Sequence, residues 1–486
     1  MVMGRETNEI NSDDSDDDDT SCTPPLITSS GIEAGKCNWS TLDSMIMRFR
    51  LRRAVTTTAF AVYLMFFLIY IYFTVNRESS SQLENNGEVK MAKIIEEETY
   101  VLPLSNSSDL STIINTVNHE AKIRNYRKFK NISTYRAVII VQVHNREIYL
   151  KELIKSLEKA RYISQTLLIF SHDIYDDDIN MLIQNIKFCR VLQIFYPWSM
   201  QIHQNAFPGP EENDCPRDIS KKRAFEIDCQ NAAYPDLYGH YREAEITQTK
   251  HHWWWKINKV MNGLAVTRNY NGPFVFLEED HYVAEDFLYM LHLMKEVKNE
   301  SCPSCNILTL GNYAKITIPQ NQAHIAEYAP WVSSKHNMGM AITRTTWNKI
   351  KECSKEFCYH DDYNWDWTLQ HVNVKCIPKE ERLLAMILKF PRVFHIGECG
   401  IHHKGKDCAH SAALEKMYKV LNAAQKYLFP RYLKLFSSAT NTWHYRDPKA
   451  NGGWGDTRDH ELCMHFTMIS DENLPIDQDG NNVKKS

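Results

Sequence analysis

Short apolar segments alternate with amphipathic segments between residues 136 and 196, and this alternation limits the possible folds more than any other feature. The apolar segments 136–143, 167–170 and 191–196 are rich in Val, Ile, Leu and Phe. The intervening segments 147–160 and 176–187 have apolar residues at helical spacing. Strands that alternate with helices predict an α/β domain, and the order β-α-β-α-β begins a sheet of the nucleotide-binding type.

Neither of the common phosphate-binding sequences accompanies this predicted sheet. No GxGxxG follows the first strand, and the chain contains no GxxxxGK[ST]. A nucleotide would therefore be bound by polar residues that follow the strands. These residues are Gln142, Asn145, Arg146 and Asp173.

A further apolar segment, 273–277, ends in three consecutive acidic residues, Glu278, Glu279 and Asp280. Ligands of open α/β sheets bind at the carboxyl ends of strands, which is where these acids would lie. Grouped carboxylates repel one another unless a cation neutralises them, and oxygen ligands suit magnesium or manganese. The alternative is a solvated acidic turn, which a three-residue motif considered alone would favour.

The chain before residue 133 differs from the rest in composition. Residues 1–53 are acidic and lack an apolar period, which predicts a disordered tail. Residues 54–75 carry no charge and can cross a bilayer as a helix, although a buried core helix is the alternative. Arginines crowd the N-terminal side of this segment, so the positive-inside rule keeps the tail cytosolic and places the rest in a lumen. The polar composition of residues 76–132 indicates a stem, which is partly helical near residues 110–128.

The formal net charge of −4 gives no indication of nucleic-acid binding.

Cys22 and Cys37 precede the predicted membrane helix, and the other 11 of the 13 cysteines follow it. A lumen is oxidising, so these 11 are disulfide candidates, and their odd number leaves at least one free or paired between chains. For Cys302 and Cys305, a local disulfide is favoured over a redox or zinc motif. Cys189 lies between a helix and a buried strand, where a free thiol packs well.

Residues 248–255, QTKHHWWW, begin another predicted helix. Backbone N–H groups at a helix start favour phosphate, which makes the polar half of this motif a candidate ligand site. The three tryptophans are expected to pack in the core, because exposing them is costly.

Two downstream motifs carry residues suited to a sugar and to a metal. Asp366 lies between Trp365 and Trp367, where aromatic faces could stack on a sugar and the carboxylate could accept a hydroxyl hydrogen bond. A turn with packed indoles is the alternative. His395 follows another short strand, and His402 and His403 are alternative ligands in the loop beyond it.

From about Tyr135 to Cys463 the chain resembles the alpha-1,6-mannosyl-glycoprotein 2-beta-N-acetylglucosaminyltransferase (N-acetylglucosaminyltransferase II) family. The strings that carry the resemblance are long, rare and in one order. They are VQVHNR (141–146), IFSHD (169–173), LYGHYREA (237–244), QTKHHWWWK (248–256), FLEEDHY (276–282), HNMG (336–339), DDYNWDWTLQ (361–370) and NGGWGD (451–456).

The resemblance implies an α/β domain of the GT-A glycosyltransferase fold, a Rossmann-like mixed sheet flanked by helices, over residues 133–470. A single membrane helix would precede it, and a polar tail, 471–486, would follow. The implied protein is a single-pass type II protein of the Golgi membrane with its catalytic domain in the lumen. Self-association stays open.

The implied reaction is the transfer of GlcNAc from UDP-GlcNAc in β1,2 linkage to the α1,6-arm mannose of N-glycans, by one inverting displacement that depends on Mn²⁺. Asp280 and His395 would be the metal ligands, and Asp366 would be the general base. Glu278 and Trp365 would contact the acceptor. The implied donor-binding residues are Gln142, Val143, His144, Asn145, Arg146, Asp173, Gln248, Thr249, Lys250, His251, His252, Glu279 and Lys315. Lys315 stands near the position where the family carries an arginine.

The resemblance also implies a disulfide pattern. Beside Cys302–Cys305, it pairs Cys215 with Cys229, Cys353 with Cys376, Cys358 with Cys463, and Cys399 with Cys408.

Two rival functions remain for this chain. One is a glycoside hydrolase, which also uses paired carboxylates, and the other is a membrane-anchored lectin.

Overall fold

The computed structural model describes residues 110–130, 134–314, 318–398, 412–438 and 447–470. The predicted tails 1–53 and 471–486, the predicted membrane helix 54–75 and most of the predicted stem lie outside these ranges. Among the helices of the described ranges, none is both long enough and apolar enough to span a bilayer.

A nine-stranded mixed sheet organises the described part of the chain. The strands are β1 Val138–Val143, β2 Leu167–His172, β3 Arg190–Phe195, β4 Phe274–Glu278, β5 His281–Val283, β6 Ile307–Thr309, β7 Ile325–Pro330, β8 Met340–Ile342, β9 Leu384–Leu388, β10 Val393–His395 and β11 Lys434–Ser437. Their order in the sheet is β11-β7-β9-β6-β8-β4-β1-β2-β3, while β5 and β10 form a separate antiparallel pair. The four neighbouring strands β4, β1, β2 and β3 are parallel to one another, and β8 runs antiparallel to β4. The predicted mixed α/β sheet is confirmed.

Helices cover both faces of this sheet. They are α1 Leu110–Glu120, α2 Glu147–Lys159, α3 Asp177–Gln184, α4 Lys221–Glu226, α5 Ala244–Asn258, α6 Phe287–Ser301, α7 Pro319–Gln322, α8 Ser333–His336, α9 Arg344–Glu352, α10 Ser354–Tyr359, α11 Trp365–Lys375, α12 Ala412–Ala424 and α13 Thr457–Thr467. Side chains alternate along a strand, so Ile139 and Val141 pack in one core, whereas Val138 and Ile140 pack in the other.

The second core explains the triple tryptophan of α5. Trp253, Trp254 and Trp255 are all buried in it, as the sequence predicted. Trp254 stacks on Phe357, with 4.1 Å between the ring centroids. The aromatic stretch therefore fixes α5 against the sheet and the neighbouring helices.

Residues 110–130 pack onto the domain, although the sequence assigned them to the stem. Ile113, Ile114 and Val117 of α1 contact Phe195 and its neighbours. Asn118 exchanges two hydrogen bonds with the backbone of Phe195, which satisfies the polar groups at this contact. The packed domain therefore begins at or before Leu110, and the predicted boundary at 133 is too late.

Four predicted disulfides are present among the described residues. They are Cys215–Cys229, Cys302–Cys305, Cys353–Cys376 and Cys358–Cys463. Cys189 is free and buried, as predicted. The fifth predicted pair, Cys399–Cys408, lies outside the described residues.

A buried ion pair anchors the start of α6. The side chains of Arg392 and Asp286 are both fully buried, with 2.8 Å between Nε and Oδ1. The remaining guanidinium groups donate to the carbonyls of Phe390 and Ala323, and Asp286 accepts from the Phe429 N–H. The pair therefore links several loops that are distant in sequence.

We predict that Arg392→Met lowers the free energy of unfolding by about 3–5 kcal/mol, because it leaves the Asp286 charge buried without its partner. Urea denaturation of the protein measures the change. The control is Lys389→Met, which removes the exposed pair with Glu327 and should cost less than about 1 kcal/mol. Equal losses in the two variants would contradict this account of the buried pair.

Candidate active site

The polar residues that follow β1, β2 and β4 meet at one edge of the sheet. β1 lies between the other two strands, and Gln142 is in register with Ser171 on one side and Glu278 on the other. Because the three strands are parallel, their carboxyl ends coincide. This is the edge at which the sequence predicted a nucleotide and a cation.

Glu279 joins the loop after β1 to the turn after β4. Its side chain is 1% exposed, and its two oxygens accept from the His144 backbone N–H and from Arg146 Nε, each at 2.7 Å. Arg146 Nη1 also donates to Asp280 Oδ2 at 2.7 Å. Both Glu279 oxygens thus accept hydrogen bonds from residues 144–146, and Glu279 positions this segment. Its predicted donor-binding role stays a prediction.

His144 and Asp173 form the next contact along this edge. His144 Nδ1 lies 2.7 Å from Asp173 Oδ1. Burial lowers the pKa of His144, but the hydrogen bond and charge of Asp173 outweigh it and leave the pKa above its ordinary value. Asn145 beside them is exposed, whereas the Val143 side chain is buried and can offer only its backbone to a ligand.

Glu278, Asp280 and His281 form a group that could hold a cation. One potential ligand atom from each lies within 4.8 Å of the others. His395 Nε2 is 3.2 Å from Asp280 Oδ2, so the predicted ligand pair is brought together. Asp280 Oδ1 is buried and has no hydrogen-bond partner among the described residues. An unsatisfied buried oxygen is costly, and this donor set of carboxylates and imidazoles fits Mn²⁺.

His281 was missed by the sequence reasoning, although it directly follows Asp280. It lies in register with His395 across the β5–β10 pair. Its Nδ1 accepts the backbone N–H of Glu278 at 3.1 Å, which closes the acidic turn. Burial of Asp280 opposes its ionisation, but His395 and Arg146 outweigh that effect and hold the pKa of Asp280 well below its usual range.

The structure corrects the position of residues 248–252 relative to the start of their helix. α5 begins at Ala244, so Gln248 lies beyond the first turn, whose N–H groups alone lack partners within a helix. Lys250 is fully buried and donates to the carbonyls of His360 and Asp362. His251 is 1% exposed and hydrogen-bonds Asp459. These two side chains support the fold, and their predicted donor-binding role stays a prediction.

Two residues of the same helix do face the sheet edge. Gln248 Nε2 donates to Asp173 Oδ2 at 3.4 Å, and His252 Nδ1 lies 3.8 Å from the same oxygen. Thr249 is half-buried. Lys256, which the sequence reasoning also missed, is buried and donates to Gln142 Oε1. Lys315 lies outside the described residues.

Asp366 lies in the first turn of α11 and is held by two donors. The Trp367 backbone N–H donates to Oδ1, and Asn337 Nδ2 donates to Oδ2, each at 2.9 Å. The Tyr313 hydroxyl in turn donates to Asn337 Oδ1 at 3.0 Å. Removal from water raises the pKa of Asp366 to about 6, and the negative charge of Glu278 adds to the rise. A carboxylate with such a pKa is suited to act as a base near neutral pH.

Trp365 does not have the exposed face that was predicted for it. Only 9% of the residue is exposed, and its ring stacks on Trp253 with 4.3 Å between centroids and 6° between planes. Trp365 therefore packs in the core, and its predicted contact with the acceptor stays a prediction. The alternative of packed indoles describes this residue.

The cation group and Asp366 share one cleft. The segment that leads to Tyr313 runs beside β10, where Gly311 bridges Val393, and the Tyr313 hydroxyl is linked to Asp366 through Asn337. Burial raises the pKa of Tyr313, and the charges of Glu278, Asp366 and Asp280 raise it further. The cleft therefore combines a possible cation site, a carboxylate base and polar residues at the ends of parallel strands. Asn337 and Tyr313 were not identified as site residues from the sequence, although Asn337 lies in the HNMG string.

Comparisons with known proteins agree over most of the chain. The model of the N-acetylglucosaminyltransferase II (MGAT2) family matches residues 111–463. The alpha-1,6-mannosyl-glycoprotein 2-beta-N-acetylglucosaminyltransferase of Sus scrofa is 45% identical over 358 residues, which cover 74% of this chain and 79% of the relative. The Arabidopsis thaliana protein of the same name is 31% identical over 382 residues, covering 76% and 83%. The solved structure of S. aureus TarS 1-349 in complex with UDP-GlcNAc is 13% identical, covers 60% of this chain and 66% of its own, and has a TM-score of 0.28.

We predict that Asp280→Asn weakens Mn²⁺ binding by more than about tenfold, because loss of even an outer-shell partner costs a metal site about 10–100-fold. Titration of the metal-free protein with Mn²⁺, followed by electron paramagnetic resonance, measures the affinity. Glu327→Gln on β7, at a distant position in the sheet, is the control. Unchanged Mn²⁺ affinity in Asp280→Asn would show that the cation binds elsewhere.

Proposed function

The chain belongs to the N-acetylglucosaminyltransferase II family, and we propose that it transfers GlcNAc from UDP-GlcNAc to the 2-hydroxyl of the α1,6-arm mannose of N-glycans. Membership makes it a glycosyltransferase, and the name of its relatives specifies an α1,6-mannosyl glycoprotein and a 2-β linkage. The observation that carries the mechanism is Asp366, a carboxylate held by two hydrogen bonds, whose pKa is raised by burial and by the charge of Glu278.

The proposed fold is GT-A, and UDP-GlcNAc is the proposed donor. Support comes from the coincident carboxyl ends of β1, β2 and β4, where polar groups suited to a nucleotide are gathered. His144, Arg146 and Asp173 offer charge and hydrogen bonds there. Gln248 and His252 keep Asp173 in place.

The proposed cofactor is Mn²⁺, held by Asp280 with Glu278 and with His281 or His395. The unpartnered Asp280 Oδ1 supports this assignment. Such a bound cation would neutralise the charge that develops on the departing diphosphate. Arg146 contributes a permanent positive charge beside the same carboxylate.

Asp366 is the proposed general base. Its carboxylate removes the proton from the mannose 2-hydroxyl while that oxygen bonds to the anomeric carbon and the carbon–phosphate oxygen bond breaks. The attack on the opposite face converts an α-linked donor into a β-linked product without a covalent intermediate. Asn337 and the Trp367 N–H fix the carboxylate for this transfer, and a positioned base contributes about 10²–10⁴-fold to the rate.

The proposed location is the Golgi membrane, with the catalytic domain in the lumen. The uncharged segment 54–75 and the arginines before it support a single-pass type II arrangement. The four disulfides support an oxidising compartment.

The assay that tests this function measures UDP release from UDP-GlcNAc and Mn²⁺, with and without a glycan that ends in an α1,6-linked mannose. UDP release that requires the glycan, together with a β1,2-linked product, is expected. A glycoside hydrolase would instead release sugar from the glycan alone, and a lectin would bind the glycan without releasing UDP.

We predict that kcat/KM decreases as pH decreases below about 6, because Asp366 must be ionised to accept a proton and burial raises its pKa to that value. Asn337→Ala removes a hydrogen bond that favours the ionised carboxylate, so its pH–rate limb should move to higher pH. The pH dependence of UDP release measures both limbs. If the acidic limb of the pH–rate profile lies at the same pH in the wild type and in Asn337→Ala, Asp366 is not the group whose titration controls the rate.

A further inference from the structure

We propose that Tyr313 provides the aromatic face on which the acceptor mannose packs, an inference that rests on the proposed transfer reaction. A pyranose presents a patch of C–H groups, and an open aromatic face beside the catalytic base would hold the ring and aim its hydroxyl. The side chain first expected to do this, Trp365, is covered by Trp253. A stacking contact with the sugar would therefore need another ring.

Tyr313 has the exposure that Trp365 lacks. It is 51% exposed and directly precedes Ala314 on the segment that follows β6. Its hydroxyl hydrogen-bonds Asn337, which in turn holds Asp366, so this exposed ring lies beside the proposed base.

The backbone that carries Tyr313 is held firmly, which a recognition surface needs. The neighbouring Asn312 donates through Nδ2 to the carbonyls of Leu388 and Lys389, at 2.8 and 3.1 Å. Its Oδ1 accepts the N–H of Ala314 at 2.9 Å. A single side chain thus ties this turn to the end of β9 and fixes the direction of the next residue.

The hydroxyl of Tyr313 links the ring to the base. It donates to Asn337 Oδ1, and Asn337 Nδ2 donates to Asp366 Oδ2, so one amide connects the platform with the carboxylate. A mannose that stacks on the ring would therefore lie at a set position relative to Asp366. This coupling ties acceptor recognition to the step that removes the proton.

Acceptor binding without turnover tests this proposal. Calorimetry in the presence of Mn²⁺ and UDP, which has no sugar to transfer, measures the Kd for a mannose-terminated glycan. Tyr313→Leu removes the aromatic face and should raise this Kd by about 3- to 10-fold. Tyr313→Phe keeps the face and should stay within about twofold of the wild type. The control is Tyr432→Leu, a tyrosine of similar exposure beside the edge strand β11, which is separated from β6 by two strands.

Two outcomes would overturn the proposal. One is an unchanged glycan Kd in Tyr313→Leu with a loss in Trp367→Leu, which would assign the platform to the other tryptophan beside Asp366. The second is a loss of UDP-GlcNAc affinity alone, which would place the donor sugar on Tyr313. The proposed function fails separately: if wild-type protein binds the glycan through Tyr313 but never releases UDP from UDP-GlcNAc, the platform stands and the transferase activity does not.

Discussion

The carboxylate of Glu279 is the contact on which the candidate active site depends. It accepts the backbone N–H of His144 and the guanidinium of Arg146, and thereby joins the segments that follow β1 and β4. Arg146 then reaches Asp280. A buried acid of this kind costs free energy unless it is paired and hydrogen-bonded, and here both oxygens are satisfied. The consequence is a fixed arrangement in which one Asp280 oxygen has no hydrogen-bond partner within the part of the chain that the structure describes.

The second half of the cleft is built by contacts that are more distant in sequence. Asp362 accepts from the backbone N–H and the side chain of Asn451, and its carbonyl accepts from buried Lys250. Gly452 and Gly453 follow with φ values of +77° and +75°, which suit glycine. The glycine-rich segment 451–456 is therefore bound in place. It supports the turn from which α11 and Asp366 begin.

The sequence predicted well what is local and what carries a strong pattern. The strands β1 to β4, the acidic turn, the buried tryptophans and four disulfides all follow from runs of residue type or from family strings. The start of α5 was misplaced because its N-cap, Glu243, makes no side-chain capping bond that a sequence signal could announce. The packing of α1 and the covering of Trp365 were missed because their partners, Phe195 and Trp253, lie far away along the chain. Tyr313 was not predicted as a site residue for the same reason, since its hydrogen-bonded link to Asp366 passes through Asn337.

In the proposed mechanism, the turn after β4 holds the cation and the donor, and Asp366 removes the proton from the acceptor. Asp366→Asn tests it most directly, because the amide keeps the shape of the side chain but cannot accept the proton. The measurement compares the transfer rate with Mn²⁺-dependent UDP-GlcNAc affinity in this variant and in Glu352→Gln, a change at the exposed end of α9. In Asp366→Asn we expect a transfer rate lowered by about 10²–10⁴-fold and an unchanged affinity for UDP-GlcNAc. Near-normal transfer, or loss of donor binding together with transfer, would contradict it.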